Sequence, residues 1–405
     1  MQSNAFIFTQ SFQSFQSFQS SHTPHGAEPK TLISKLQAAG FSGINLAVNY
    51  HASRDFDPKQ NGKLIYPHDG FHYYLPNANS YSKDALQIPK HSHFSDNKLI
   101  DSIFGSAGNF EINAWAVFLH NSSFFNTNPD CYVENVFGTK FQSELCPSNP
   151  KVESYVEGLV TDLASRGFKS ISVESLQFHG FDHGEHHERL FLQMSPITKF
   201  LLSLCFCKFC SRKYDKAEQL KKSIQTSLVP FISDSDPWLD KPLTKTILVE
   251  IVGNSILEYL SAREQTVSAL YKKVHSIGKA KNVKIYYEDQ APLINFANSQ
   301  VLDDSWQIGI NNDEVAKNCD AYLPLMYRID FSEFKKLADH YRSRISQSLR
   351  AIIRPTFPDA DTLDNLHQKV ELLANLKVDS IDFYLFDTWR DKNLQWVTQA
   401  LARIA

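Results

Sequence analysis

Eight times along the chain a short run of apolar residues alternates with small or polar ones, and most of these runs lead through a loop into an amphipathic stretch. Period-two alternation marks a strand with unlike faces, whereas apolar residues recurring every three or four positions mark a helix packed on one side. The strand-like runs are Ala5–Gln10, Gly43–Tyr50, Glu111–His120, Lys169–Leu176, Val283–Glu288, Ala321–Tyr327, Ala351–Phe357 and Ser380–Phe386. Helical runs include Pro29–Ala39, Pro150–Arg166, Phe331–Ile345, Thr362–Leu376 and Leu394–Ile404. Alternation of strand and helix predicts parallel pairing through helical crossovers, and eight such units predict an α/β fold, a single (β/α)8 TIM barrel over residues 1–405.

Two stretches interrupt the alternation. Residues from about 190 to 278 are too many for one crossover helix, so the fourth unit is expected to carry a helical insertion over the barrel mouth. Tyr50–Ser95 forms a second long loop after the second strand. Near the N-terminus, residues 10–20 (QSFQSFQSFQS) repeat Phe-Gln-Ser without a period that a core can use, which predicts a low-complexity loop over 10–27.

Parity assigns the faces of the strands, because alternate residues point into the barrel or toward the helices. With Ile44, Leu46 and Val48 outward, Asn45, Asn49 and His51 face inward; with Ile171 and Val173 outward, Glu174 faces inward. Val283 and Ile285 outward leave Tyr286 and Glu288 inward, and Ile381, Phe383 and Leu385 outward leave Asp382 and Tyr384 inward. Arg354 falls inward beside the outward Ile353. The interior is therefore polar, and a buried charge must pair or meet a ligand.

Composition narrows the classes. At 42% hydrophobic and 21% charged, with a net charge of -3, the 405 residues read as an ordinary globular chain with no basic field for nucleic acid. No apolar run approaches the ~20 residues that span a bilayer. Met1–Thr9 (MQSNAFIFT) lacks the basic start and apolar core of an export signal, so a cytoplasmic location is expected. Aromatic residues reach 13%; most are expected in the core, a minority at strand ends against a ring-shaped ligand.

Catalytic groups of such barrels sit at the carboxyl ends of strands and in the loops that follow. Glu174 and Glu288 meet that condition on neighbouring strands, whose ~5 Å spacing matches the separation of the two carboxylates in retaining glycosidases. Asp359, after the seventh strand, is a third candidate, for sugar hydroxyls or the transition state. The plainer reading of these acids is internal ion pairing, for example Arg354 with Asp382 and Lys284 with Glu288. Candidate substrate contacts are Asn49, His51, Arg54, His120, Asn121, Tyr286, Tyr327, Arg328, Arg354, Asp382 and Tyr384, with Trp389 and Trp306 as stacking platforms if they are not core. Tyr50 belongs to the same polar run as Asn49 and His51.

The loop Phe178–Arg189 (FHGFDHGEHHER) adds His179, Asp182, His183 and His186 to the candidate contacts. With Glu185 and His187 it also offers nitrogen and oxygen ligands to a divalent metal, although Gly180 and Gly184 oppose a helix that would align the histidines. Cys205, Cys207 and Cys210 (CFCKFC) can hold a structural zinc with a fourth ligand from Cys131, Cys146 or a histidine, or can be buried thiols supporting the insertion. Nucleotide-binding glycine loops and the Gly-x-Ser-x-Gly elbow are absent.

Leu145–Val152 (LCPSNPKV), a helix, a strand ending in Glu174 and then C-F-C-x-x-C together resemble the pattern of uncharacterised glycoside-hydrolase-like barrels, which read C-P-x-N-P, helix, acid-ended strand, C-[YF]-C-x-x-C. The segment Glu174–His187 (ESLQFHGFDHGEHH) looks like one bacterial subgroup of that kind. The resemblance implies a glycosidase-type barrel. In an α-amylase-like arrangement it would make Glu174 the nucleophile, Glu288 the acid/base and Asp359 the further acid, with Glu where Asp is usual for the nucleophile. An arrangement with Asn-Glu ending the fourth strand fits less well, since Val173 precedes Glu174.

The expectation is a hydrolase acting on a small saccharide or glycoside without a required cofactor. Its rivals are a divalent-metal-dependent sugar isomerase, epimerase or lyase, and a carbohydrate-binding barrel without chemistry.

Overall fold

The computed structural model describes residues 1–12, 28–60, 63–67, 70–86, 96–182, 189–294, 298 and 300–404. Eight parallel strands, Asn4–Phe8, Gly43–Ala47, Glu111–Val117, Ser170–Glu174, Lys284–Asp289, Ala321–Pro324, Ser348–Ile353 and Ser380–Phe383, pair in chain order and close into a barrel. The first strand pairs with the second from Asn4–Gly43 to Phe8–Ala47 and meets the last at Ala5–Phe383. Each strand is followed by a helix, ending with Asp391–Ile404. The expected (β/α)8 barrel is thus present. Among the described residues no helix is long and apolar enough to cross a membrane.

Alternation within the strands sorts side chains as the sequence pattern implies. Ile44, Leu46, Val48, Ile171, Val173, Ile285, Ile353, Ile381 and Phe383 pack with the surrounding helices. Phe6, Phe8, Ala47, Trp115, Val117, Tyr286, Leu323 and Ile352 form a separate cluster inside the barrel. Leu385, expected outward, joins the interior cluster because the last strand stops at Phe383 and strict alternation stops with it.

The lower interior is held by a buried acid. Asp382 accepts hydrogen bonds from the Asn4 backbone N–H (3.2 Å), Asn45 Nδ2 (3.3 Å), Ser380 Oγ (2.6 Å) and Arg350 Nη2 (3.3 Å). One carboxylate therefore ties the last strand to the first, second and seventh. Arg350, itself buried, lies 5.0 Å over the Tyr286 ring, which places Tyr286 in the same lower layer. Asp382 and Tyr286 were expected to contact substrate; the geometry gives both a structural setting, because their polar neighbours are already supplied by the barrel.

A second seam lies where the last strand meets the first. Asp387, in the short turn Phe386–Thr388, accepts from the Phe8 backbone N–H (3.0 Å) and from Ser11 Oγ. Lys59 donates to the carbonyls of Phe386, Asp387 and Trp389 at 2.5–3.1 Å. Phe12 is fully buried beside this seam, so the Phe-Gln-Ser repeat begins inside the core; the rest of the expected loop, residues 13–27, lies outside the described residues.

Between the fourth strand and its helix lies the expected insertion, with helices Pro196–Ser203, Lys208–Ser211, Ala217–Ser227, Val229–Ser233 and Lys245–Val252. It has its own apolar core around Leu201, Leu220, Ile224, Leu248 and Ile256. The long helix Ser255–Lys281 belongs to both bodies: Ile256, Tyr259 and Leu260 pack in the insertion, whereas Val267, Leu270, Tyr271 and Val274 pack on the barrel. Gly278 permits the close seat of this helix, since a Cβ there would lie 2.6 Å from Ile285 and 2.7 Å from the Val283 carbonyl.

Two outcomes follow from the buried acids. Asp382→Ala strands the Arg350 charge inside the barrel and is expected to cost about 3–5 kcal/mol; chemical denaturation measures it, and an unchanged midpoint would show that the closure does not depend on the pair. Burial pushes the Asp387 carboxyl up to about 7. An acid whose folded value is raised contributes fully below its unfolded value and loses that contribution as pH rises through the folded one. Stability should therefore fall between about pH 4 and 7, and Asp387→Asn should flatten that part of the thermal-unfolding profile relative to wild type.

Candidate active site

Glu174 ends the fourth strand and points into the barrel, and Ser175 after it adopts a left-handed φ of 59° that turns the chain away. On the fifth strand Glu288 lies one step beyond the paired Val173 and Tyr287, at the level of Glu174. Adjacent strands run ~4.8 Å apart. Both carboxyls are nearly sealed, with Glu174 6% and Glu288 3% exposed.

Their partners differ in kind. Glu174 accepts from Trp115 Nε1 at 2.6 Å and from Gln290 Nε2 at 3.1 Å. Gln290 is oriented in turn, because its amide oxygen accepts from Gln177 Nε2 (2.9 Å) and Ser175 Oγ (3.3 Å). Glu288 meets Ser172 Oγ at 3.2 Å. The arginine ion pairs of the interior go to other acids, Arg350 to Asp382 and Arg354 to Asp359, and among the described residues no cation forms an ion pair with Glu174 or Glu288. Neither expected pairing, Arg354 with Asp382 or Lys284 with Glu288, forms; Lys284 is exposed at the start of its strand.

Burial raises both carboxyls above the usual range. For Glu174 the nearby His51, Trp115 and Gln290 partly offset this, whereas for Glu288 the charge of Glu174 adds to burial and carries it well above. When two such acids interact, one proton leaves long before the other. The partners set the order within the pair, Glu174 giving up its proton before Glu288.

A belt of rings crosses the mouth above them. Tyr327 lies 5.9 Å from Tyr384, whose hydroxyl is 2.8 Å from that of Tyr50. Tyr50 stacks on His51 at 4.1 Å, His51 on His120 at 4.6 Å, and His120 approaches His179 at 6.0 Å. These residues come from loops after the second, third, fourth, sixth and eighth strands. Trp115 forms the floor, 4.8 Å from Tyr50 and 5.6 Å from Tyr384. Arg354 lies 4.0 Å over the Tyr327 ring and pairs with Asp359 at the edge.

Of the expected contacts, then, His51, His120, His179, Tyr327, Tyr384 and Arg354 gather near the two glutamates. Asp359 is buried and neutralised by Arg354, and Lys369 Nζ donates to its carbonyl, which makes it a holder of Arg354 rather than a third free acid. Asn49 is used by the barrel, clasping the Val117 backbone through both ends of its amide (2.6 and 3.0 Å). Asn121 caps its own turn, accepting from Ser123, and Arg328 donates to the carbonyls of Pro292, Tyr327 and Asn298. Trp389 is 1% exposed between Phe41, Phe383 and Phe386, outside the barrel, and Trp306 packs on Phe200 in the insertion. Both tryptophans are core because each is surrounded by apolar partners. Arg54 is exposed on the loop after the second strand, and Asp182 pairs at the surface with Lys199 (2.8 Å). His183 and His186 lie outside the described residues, as do Glu185 and His187.

Sequence reasoning missed Trp115, Gln290 and Gln177. Trp115 stands at inward parity between Asn113 and Val117 on the third strand, a signal masked by the largely apolar character of the residue. Beside the mouth, Gly180, Phe181, Met194, Phe200, Leu293 and Ile294 are among the residues lining an apolar cleft of about 340 Å³ between barrel and insertion.

The fold is similar to that of alpha-L-fucosidase isoenzyme 2 from Paenibacillus thiaminolyticus, with a TM-score of 0.55 and 9% identity, over 100% of this chain and 49% of that one. The chain thus spans about half the length of that protein. It is also similar to the endo-1,4-beta-mannanase from Rhizomucor miehei, with a TM-score of 0.52 and 10% identity, over 99% of this chain and 94% of that one. These likenesses establish the barrel fold and do not extend to the Cys-Pro-Ser-Asn-Pro pattern. No family model matches the chain, and no curated protein matches it.

Trp115→Phe removes the indole donor while keeping an aromatic floor. A carboxylate losing a hydrogen bond becomes harder to ionise, so the acidic limb of any pH–rate profile should move to higher pH by about one unit; an unmoved limb would separate Glu174 from the rate.

Proposed function

We propose that the protein hydrolyses a glycosidic bond in a small oligosaccharide or glycoside, with Glu174 as nucleophile and Glu288 as acid/base. The observation that carries this reading is the pair of buried carboxyls at the carboxyl ends of adjacent strands, joined by no cation among the described residues and held by unlike partners. The fucosidase and mannanase names of two proteins with similar folds agree with it.

In this scheme Glu288, kept protonated by burial and by the charge of Glu174, gives its proton to the glycosidic oxygen as the bond to the leaving group breaks. The Glu174 carboxylate, aimed by Trp115 and Gln290, forms a bond to the anomeric carbon. Glu288, now ionised, takes a proton from water, whose oxygen displaces Glu174 from the sugar. The ring belt and Arg354 offer faces and donors to a sugar, and the apolar cleft offers room for the less polar part of a glycoside. The scheme uses no cofactor.

The metal-dependent rival gains no geometric support from the described residues. Among them the converging group of three or more metal-ligating side chains is a set of four cysteines, which includes neither glutamate.

The test begins with a panel of aryl glycosides on the wild-type protein. On the substrate found, Glu174→Gln and Glu288→Gln should each lower kcat by about 10²–10⁴-fold or more while leaving the circular dichroism unchanged. Proton NMR of the first product should show retention of the anomeric configuration. Wild-type rates in Glu174→Gln would overturn the assignment, and inversion would overturn the covalent step.

A further inference from the structure

The remaining unexplained chemistry is a knot of sulfur. Cys146 follows the strand Lys140–Leu145 in the third loop, whereas Cys205, Cys207 and Cys210 come from the start of the insertion. All four are buried, between 0 and 5% exposed, and none is in a disulfide. Cys146 Sγ lies 3.6 Å from that of Cys207, 3.5 Å from Cys210 and 3.8 Å from Cys205, and all four sulfurs lie within 4.8 Å of one another. A tetrahedron of sulfurs around zinc at ~2.3 Å has edges of roughly 3.8 Å. A disulfide would need ~2.05 Å, and thiols are poor hydrogen-bond partners for one another.

We infer that Cys146, Cys205, Cys207 and Cys210 bind one zinc ion as a closed tetrathiolate site that fastens the insertion to the barrel mouth. The Glu134 backbone N–H points at Cys205 Sγ (3.4 Å) and Ser148 Oγ lies 3.3 Å from Cys210 Sγ, the kind of outer donors that steady thiolate ligands. The closed set leaves no position for water, so the ion is structural and takes no part in hydrolysis.

The site joins two walls of the mouth. On the barrel side, Cys146 is two residues from Glu144, which forms a backbone bridge with His120 of the ring belt. On the insertion side, Tyr259 donates to the Cys205 carbonyl, and Arg263, one turn along the same helix, lies 4.5 Å over Phe178. Phe178 bonds through its N–H to the Ile308 carbonyl (3.2 Å) and sits between Gln177 and His179. Gly309, at φ 75°, makes room for it, since a Cβ there would lie 2.9 Å from the Phe178 ring. Losing the ion would release both supports together.

Metal analysis of protein purified without added metal should give one zinc per chain. Cobalt substituted for zinc should give the visible bands of tetrahedral thiolate cobalt. Cys207→Ser should lower zinc content at least tenfold, whereas Cys319→Ser, a buried cysteine outside the site, should leave it unchanged. Zinc-stripped protein should be cut by trypsin within the insertion at least ten times faster than the loaded form, with the barrel helices still intact. Protein that is folded, metal-free and reactive at all four thiols would overturn the site, as would bound iron in place of zinc. Unchanged proteolysis after stripping would overturn the fastening role. Neither readout depends on glycosidase activity.

Discussion

A charge sealed inside a closed barrel must either be paired or be kept neutral, because the interior cannot solvate it. That constraint separates two pairs of acids in this barrel. Asp382 and Asp359 have arginines beside them and serve the scaffold, one stitching four strands together and the other holding Arg354 at the mouth. Glu174 and Glu288 are buried to a similar depth with polar but uncharged donors around them. The unpaired set sits where barrel enzymes carry their chemistry, and the paired Asp382 sits among the starts of its neighbours.

The layers above and below depend on the same sorting. Beneath the glutamates, Arg350 and Tyr286 fill the space around Asp382 with matched polar and aromatic surface. Above them the ring belt draws loops from five strands together through stacking and one hydroxyl pair. Trp115 belongs to both levels: its ring closes the floor and its N–H reaches the carboxylate. A single residue thereby couples core packing to the ionisation state of the site, the kind of support that holds a functional group to a narrow geometry.

Much of this was legible in the chain. Period-two alternation placed the strands within a few residues and put Glu174, Glu288, Asp382 and Arg354 on the inner face, because buried strands leave little freedom in parity. Partners were less legible, since they depend on tilt and on height within the barrel. Parity allows Arg354 to meet Asp382, but Arg350, four residues earlier and deeper in the barrel, is the residue that reaches it. Asn49, Asn121 and Arg328 carry groups suited to a sugar, but Asn49 and Arg328 donate to backbone carbonyls and the Asn121 amide oxygen accepts from Ser123. The sequence leaves Cys131, Cys146 and the histidines open as fourth ligand, and only the folded third loop brings Cys146 to the other three cysteines.

The order in which the two glutamates lose their protons follows from the hydrogen-bond chemistry of their partners. An indole N–H can only donate, so Trp115 favours an acceptor at Glu174 Oε2. The Gln290 amide is ambivalent by itself, but its oxygen is occupied by Gln177 and Ser175, which turns the NH₂ toward Glu174 Oε1. Both oxygens of Glu174 thus face donors, and protonating either would oppose an N–H with an O–H. Ser172, beside Glu288, carries a hydroxyl that donates to a carboxylate or accepts from a carboxylic acid with equal ease. Burial and the charge of Glu174 then push the Glu288 carboxyl well above the usual range, so it is the later of the two to ionise. In the proposed reaction, the division of labour between nucleophile and proton donor would thus rest on Trp115, Gln177, Ser175 and Gln290, which hold the carboxyl of Glu174 in place.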